Sequence, residues 1–156
     1  MSSAHRFQLR EVITPTRVAR AGMSVGEVFE ECVAKRVPGI PFCNTRGEVV
    51  GRVSLRHTLK MTCVPSYLVK GAHLLGNVIE EVLIPEELAR DVLRMPAENF
   101  VLETRAVVTS ATPVVKALAV MEQYNSSYAF VIDNGEYKGM VTRMWIASLM
   151  LKVRER

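Results

Sequence analysis

Seven residues, Gly51-Arg52-Val53-Ser54-Leu55-Arg56-His57, are the stretch best equipped for chemistry. They recur 88 positions later as Gly139-Met140-Val141-Thr142-Arg143-Met144-Trp145. Each copy is a glycine, residues of strand character, a small hydroxyl residue and a run that can continue as helix. Ser54 and Thr142 therefore read as N-caps where a strand turns into a helix. Such a junction aims backbone N–H groups and the positive end of a helix at whatever lies beyond it, which suits an anionic ligand. Arg52, Arg56 and Arg143 flank the junctions and can supply charge to a phosphate, or remain solvated. His57 can donate to a phosphate, accept from a hydroxyl, or make only a local bond. Trp145 can stack on a base or fill and close a pocket. A Ser or Thr at such a position can also be a helix cap and nothing more.

Other chemistries find little support. The chain carries no Walker loop, no GxGxxG between strand and helix, and no Ser/His/Asp arrangement with supporting context, and His5, His57 and His73 form no metal-ligand cluster. It is expected not to be an enzyme and to require no cofactor.

The elements that must position the junctions also repeat. Ser24 aligns with Thr112, Phe42 with Phe130, and Gly47-Glu48 with Gly135-Glu136, without a gap. Each unit reads as a short strand (17–20; 105–109), a capped helix, a β-hairpin and the junction. Ser24 caps a helix with Val25, Val28, Phe29, Cys32 and Val33 at helical spacing, and Pro38 ends it. Strands 40–43 and 48–54 flank a turn at Asn44–Gly47. In the second unit Thr112 and Pro113 open the helix, 129–132 and 137–142 flank Asp133-Asn134-Gly135, and a last helix runs 144–153. The units span 11–60 and 101–153. Between them, 61–100 is too apolar for a flexible linker and reads as helices opening at Pro65-Ser66 and Pro85, with Leu88, Val92 and Met95 as a stripe for the chain's own core or for a partner. Neither unit can bury a good core alone, so they should fold as one pair.

At 156 residues, with 49% apolar and 23% charged residues, the chain suits a globular protein. Met1–Arg10 is polar and expected to be mobile, no run approaches a membrane span, and the expected location is the cytoplasm. Cys32, Cys43 and Cys63 lack CxxC spacing and read as thiols. A net charge of +4 without aromatic-studded basic runs argues against nucleic acid.

The order strand, helix, strand, strand, helix, twice over and closed by Gly-x-x-Ser/Thr, resembles the cystathionine beta-synthase (CBS) domain in tandem, the Bateman module. Val37-Pro38-Gly39-Ile40-Pro41-Phe42-Cys43-Asn44 is similar to that family's Val-Ser-Ala-Leu-Pro-Val-Val-Asp strand. The resemblance implies an α/β fold of two β-α-β-β-α repeats about a pseudo-two-fold axis, with an inserted helical connection. It implies two clefts that take adenine nucleotides of the AMP, ADP or ATP type, a regulated partner protein of unknown identity, and a homodimer. Carried over, Ser54 holds ribose or phosphate in the first cleft and Thr142 in the second. Ala106 lines the first and Val18 the second, with Ile13 and Val101 nearby, while Pro38, Gly39, Ile40, Ser127, Tyr128 and Ala129 approach base or phosphate. Where the family carries a ribose-binding Asp, this chain has His57 and Trp145. The first cleft, with Ser54, Arg56 and His57, is expected to be the principal site, and Tyr128 and Trp145 to crowd the second. A sensing module and a ligand-free scaffold both remain open at this point.

Overall fold

The computed structural model describes residues 7–74, 76 and 84–155. It is a mixed α/β fold with two small sheets. In the first unit, helix α1 (Val25–Lys35) precedes strands β1 (Gly39–Cys43) and β2 (Val49–Ser54), and helix α2 (Leu55–Cys63) follows directly. The second unit runs β3 (Val107–Val108), α5 (Val114–Gln123), β4 (Tyr128–Asp133), β5 (Glu136–Thr142) and α6 (Arg143–Leu151). The connection holds α3 (Ser66–Gly71), a 3-10 turn at Ala72–Leu74, and α4 (Glu86–Arg94). Of the connection expected to be helical, residues 75 and 77–83 lie outside the described residues. None of the described helices is long and apolar enough to cross a membrane.

The 88-residue offset survives in space. Helix α2 at 55–63 maps onto α6 at 143–151, and the 3-10 turn Leu9–Val12 onto Ala97–Phe100. Helix α1 starts where expected, because Ser24 Oγ accepts from the Glu27 N–H. It stops earlier than Pro38: Arg36 turns left-handed at φ 55°, and its N–H caps the helix on Cys32 O and Val33 O. The two prolines expected at first helical positions, Pro85 and Pro113, sit one place earlier as N-caps.

The expected entry strand at 17–20 shrinks to one bridge. Ala19 N–H donates to Pro41 O (2.7 Å) and Cys43 N–H to Ala19 O (2.8 Å), while exposed Arg17 and Arg20 flank it. Strand β3 repeats this bridge, pairing Val107 with Phe130, parallel to β4.

The connections that tie the units together are a pair of crossed straps. Thr14 exchanges backbone bonds with Met140 (2.8 and 2.9 Å), and Leu102 does the same with Arg52 (2.9 and 2.8 Å). Residues leading into each unit thus pair with the hairpin of the other. Glycine makes this approach possible. A Cβ on Gly51 would lie 2.5 Å from Val101 Cγ1 and 2.7 Å from Leu102 O, and one on Gly139 would lie 2.7 Å from Ile13 Cγ2 and 2.6 Å from Thr14 O.

Two cores result, each drawing on both units. The first joins Val25, Val28, Cys32, Ile40 and Val53 to Tyr128, Phe130 and Met140, with Val92 of α4 packed in. The stripe Leu88, Val92, Met95 therefore serves this core. The second core joins Leu9 and Val12 to Ala117, Met121, Ala129, Val141, Ile146 and Leu149. Leu9, in a stretch expected to be mobile, is 1% exposed. Cys32 and Cys43 are buried thiols and Cys63 is partly so; burial, with Glu31 adding to it, pushes the Cys32 thiol up to about 12.

Candidate functional site

Both junctions form as capped helices. Ser54 Oγ accepts from the His57 N–H at 3.1 Å and Thr142 Oγ1 from the Trp145 N–H at 3.2 Å. Each hydroxyl still has its own proton to donate, so capping and ligand binding are compatible. The Leu55 N–H is taken by Pro38 O (2.9 Å), which draws the loop ending α1 against the start of α2.

Around Ser54 lies a cavity of about 160 Å³ lined by Pro38, Arg52, Ser54, Arg56, His57, Lys60, Leu102, Asn125, Ser126, Ser127 and Tyr128. No carboxylate is among them. Arg52, Asn125 and Ser126 also border an adjoining chamber of about 350 Å³ with Glu103, Thr104, Arg105, Ala106, Gln123 and Tyr124. Arg52 is thus a shared wall, its guanidinium held among the described residues by neutral acceptors: Nε donates to Glu103 O (3.1 Å) and Nη1 to Tyr128 Oη (3.3 Å). Burial, then Lys60 and Arg52, hold the His57 imidazole below its ordinary value, so it is neutral near pH 7. Burial raises the Tyr128 phenol, which keeps its proton. The result is a small basic chamber with hydroxyl donors at a helix N-terminus, a chemistry suited to an anion.

The second junction differs. Thr142 and Trp145 border a cavity of about 760 Å³ with Cys32, Arg36, Val37, Pro38, Leu55, Ser127, Met144 and Leu151 among its walls. Trp145 also borders a separate cavity of about 370 Å³ with Ile13, Thr14, Ser148 and Lys152. Its Nε1 is buried without a hydrogen-bond partner among the described residues. Arg143 also borders the larger cavity, but its guanidinium is engaged, bonded to Glu122 (2.7 Å) and Ser126 O (3.0 Å).

The structure brings Ser54, Arg56, His57, Pro38, Ser127 and Tyr128 together, with Ala106 in the adjoining chamber. It does not bring all the expected residues to a cavity. Ile40 and Ala129 have no exposed surface and lie in the cores. Val18 is half-buried and borders none of these four cavities, and Val101 packs on Gly51 while Leu102 takes the place in the wall. Tyr128 pairs with Thr142 across β4 and β5, yet its ring turns to the first cleft. Gly39 is required by that ring rather than by a ligand: a Cβ there would lie 2.8 Å from both Tyr128 Oη and Val53 O. Lys60, Leu102, Asn125 and Ser126 were absent from the sequence reading. For Lys60 the signal was there, since it follows Arg56 by one helical turn.

Residues 89–144 match the family model of the CBS domain. None of the curated proteins compared with the chain matches it. Among solved structures, the CBS-pair protein CBSX2 from Arabidopsis thaliana is 18% identical with TM-score 0.65, covering 97% of this chain and 99% of that one. CBSX2 has also been solved in complex with AMP; that structure is 20% identical with TM-score 0.64, covering 95% and 99%. The CBS domain pair of MJ0100, in complex with 5'-methylthioadenosine and S-adenosyl-L-methionine, is 17% identical with TM-score 0.61, covering 92% and 99%.

Proposed function

Because the chain is a tandem CBS-domain pair in fold and carries a CBS-domain match over 89–144, we propose that it is a non-catalytic regulatory module. In this reading it senses a phosphate-bearing adenine nucleotide in the first cleft and passes the signal to a partner protein. The observation that carries it is the acid-free chamber where Arg52, Arg56 and Lys60 gather beside the capped start of α2. AMP bound to CBSX2 supports the nucleotide class. The cations argue against the sulfonium ligand held by MJ0100, because a positive ligand would meet like charge.

In the first cleft, Ser54 donates its hydroxyl proton to a phosphate oxygen while keeping its cap. Arg52 and Arg56 supply charge-assisted bonds. With His57 in place of a carboxylate, the ribose hydroxyls lose their strong acceptor, and affinity shifts to the phosphate. Calorimetry on Ser54→Ala and Thr142→Ala tests this. Ser54→Ala is expected to weaken AMP binding about tenfold, the loss of one hydrogen bond to a charged group, while Thr142→Ala leaves it unchanged. Loss through Thr142→Ala alone would transfer the site to the second cleft.

A scaffold without a ligand is the alternative, favoured at the second junction by Trp145. Homodimerisation belongs to either reading. On α6, Ile146 and Leu149 are buried in the core; the exposed apolar side chains are Met144 (74%), Met150 and Leu151, with Met61 (62%) on α2.

A further inference from the structure

We propose that the first cleft is built for a chain of phosphates rather than a single one, so that its ligand is a nucleoside di- or triphosphate. This rests on the nucleotide reading above and narrows it.

The two junctions differ position by position. Arg52, Arg56, His57 and Lys60 border the first cavity. At the same offset the second unit has Met140, Met144, Trp145 and Ser148, and the last three border its larger cavity. Helices α2 and α6 share their length and their kind of cap, yet where α2 carries Arg56 and Lys60, α6 carries Met144 and Ser148, and the arginine it does bring to its cavity, Arg143, is paired with Glu122. The fold does not require the charges, since α6 forms over nine residues without those at the equivalent places.

Nor do the charges help the helix. Arg56 and Lys60 are four apart on α2, where like charges repel. The segment Leu55–Cys63 contains no acidic residue to relieve them. Among the described residues neither Arg56 nor Lys60 has a carboxylate partner, whereas Arg105 and Arg143 do. Cations kept together at an energetic cost, on the wall of a cavity and without a carboxylate partner among the described residues, point to a polyanion.

Charge decides the length of that anion. A terminal phosphate carries roughly −1.5 to −2 at pH 7, less than the combined charge of Arg52, Arg56 and Lys60. A monophosphate leaves the chamber positive, and a second phosphate brings the ligand's charge level with it. The adjoining chamber is suited to the nucleoside: Gln123, Asn125 and Thr104 offer uncharged donors and acceptors beside Ala106, and Arg52 stands at the boundary. Arg56 and Lys60 are exposed, so they meet the outer phosphates and their contribution is screened by salt.

The test is calorimetric titration of the full chain with AMP, ADP, ATP and inorganic pyrophosphate at low and at physiological ionic strength. ADP or ATP is expected to bind at least about tenfold tighter than AMP, the worth of one added charge-assisted contact, with the difference shrinking as salt is added. Pyrophosphate is expected to bind more weakly than ADP. The double substitution Arg56→Met with Lys60→Ser places the second unit's own residues on α2; it is expected to bring the ADP-to-AMP affinity ratio to within about twofold. Circular dichroism of the variant checks that the helix persists. AMP binding as tightly as ADP, or a ratio untouched by the double substitution, overturns the inference and leaves the nucleotide reading standing. Pyrophosphate binding as tightly as ADP overturns the nucleoside part. No binding of any of the three nucleotides overturns both.

Discussion

Replacing Gly51 with alanine should cost far more than its single methyl group suggests. Gly51 has an ordinary φ, so backbone conformation is not the obstacle. Space is. The new Cβ would sit 2.5 Å from Val101 Cγ1 and 2.7 Å from Leu102 O, and the latter is backbone, which cannot swing aside. Relief requires the strap at 101–102 to back away from β2, giving up the exchange between Leu102 and Arg52 at 2.8 and 2.9 Å. Two backbone bonds at ~1 kcal/mol each, with ~1 kcal/mol or more of overpacking, give ~3 kcal/mol. For a chain of this size that is a fall of about 6–12 °C in Tm. Gly47→Ala is the control. Gly47 has φ +80° and nothing within 4 Å of its built Cβ, so only the left-handed backbone is penalised, by ~1 kcal/mol. Urea denaturation of both variants gives the two numbers. If Gly51→Ala costs no more than Gly47→Ala, the strap is not held against β2, and the crossing of the two units described above is wrong.

Two further outcomes are expected. His57 lies below its ordinary value in the free protein because of burial, Lys60 and Arg52, and a bound phosphate raises it again. Binding therefore takes up a proton, and affinity rises as pH falls from the bound-state value toward the lower free-state one. Calorimetry in buffers of different ionisation enthalpy measures that uptake; since the nucleotide itself protonates near pH ~6, the comparison is with His57→Asn, and equal uptake by both proteins would refute the role. Arg36→Gly should stabilise the chain by ~1 kcal/mol, because Arg36 caps α1 at φ 55° and glycine adopts that conformation freely. A fall in urea midpoint would count against it.

Much of the architecture was legible because it is written in local chemistry. Ser24, Ser54 and Thr142 all cap the helices assigned to them, and Asn134 and Gly135 take the positive φ their turn requires. Long-range geometry was harder. The side chains at 13–14 and 101–102 show no distinctive period, so the straps could be inferred only from glycines lying inside strands at 51 and 139, a mark of close backbone approach. The direction of the Tyr128 ring hung on one residue of register in the second hairpin, because a strand alternates faces with period two. Opposite Thr142, it occupies the place that Gly39 takes opposite Ser54. Of the candidate site, the residues at the start of α2 were readable from their cap, whereas Asn125 and Ser126 reach it from the end of α5, 71 or more positions away in sequence from Ser54, where no local signal connects them.

The crossed straps also bear on how the chain reaches its folded state. The hydroxyl bond between Thr16 and Tyr137, 2.7 Å long, joins residues 121 apart in sequence, and the exchange between Thr14 and Met140 closes a loop of similar size. Such closures are entropically expensive and slow to form. During synthesis the first hairpin can pair with itself early, but the residues at 13–14 must wait for β5, the last of the described strands to be made. Until then Leu9 and Val12 have no core to enter, and the newborn first unit exposes apolar surface. Unfolding should show the same linkage in reverse as one cooperative transition, with neither unit able to melt while leaving the other whole.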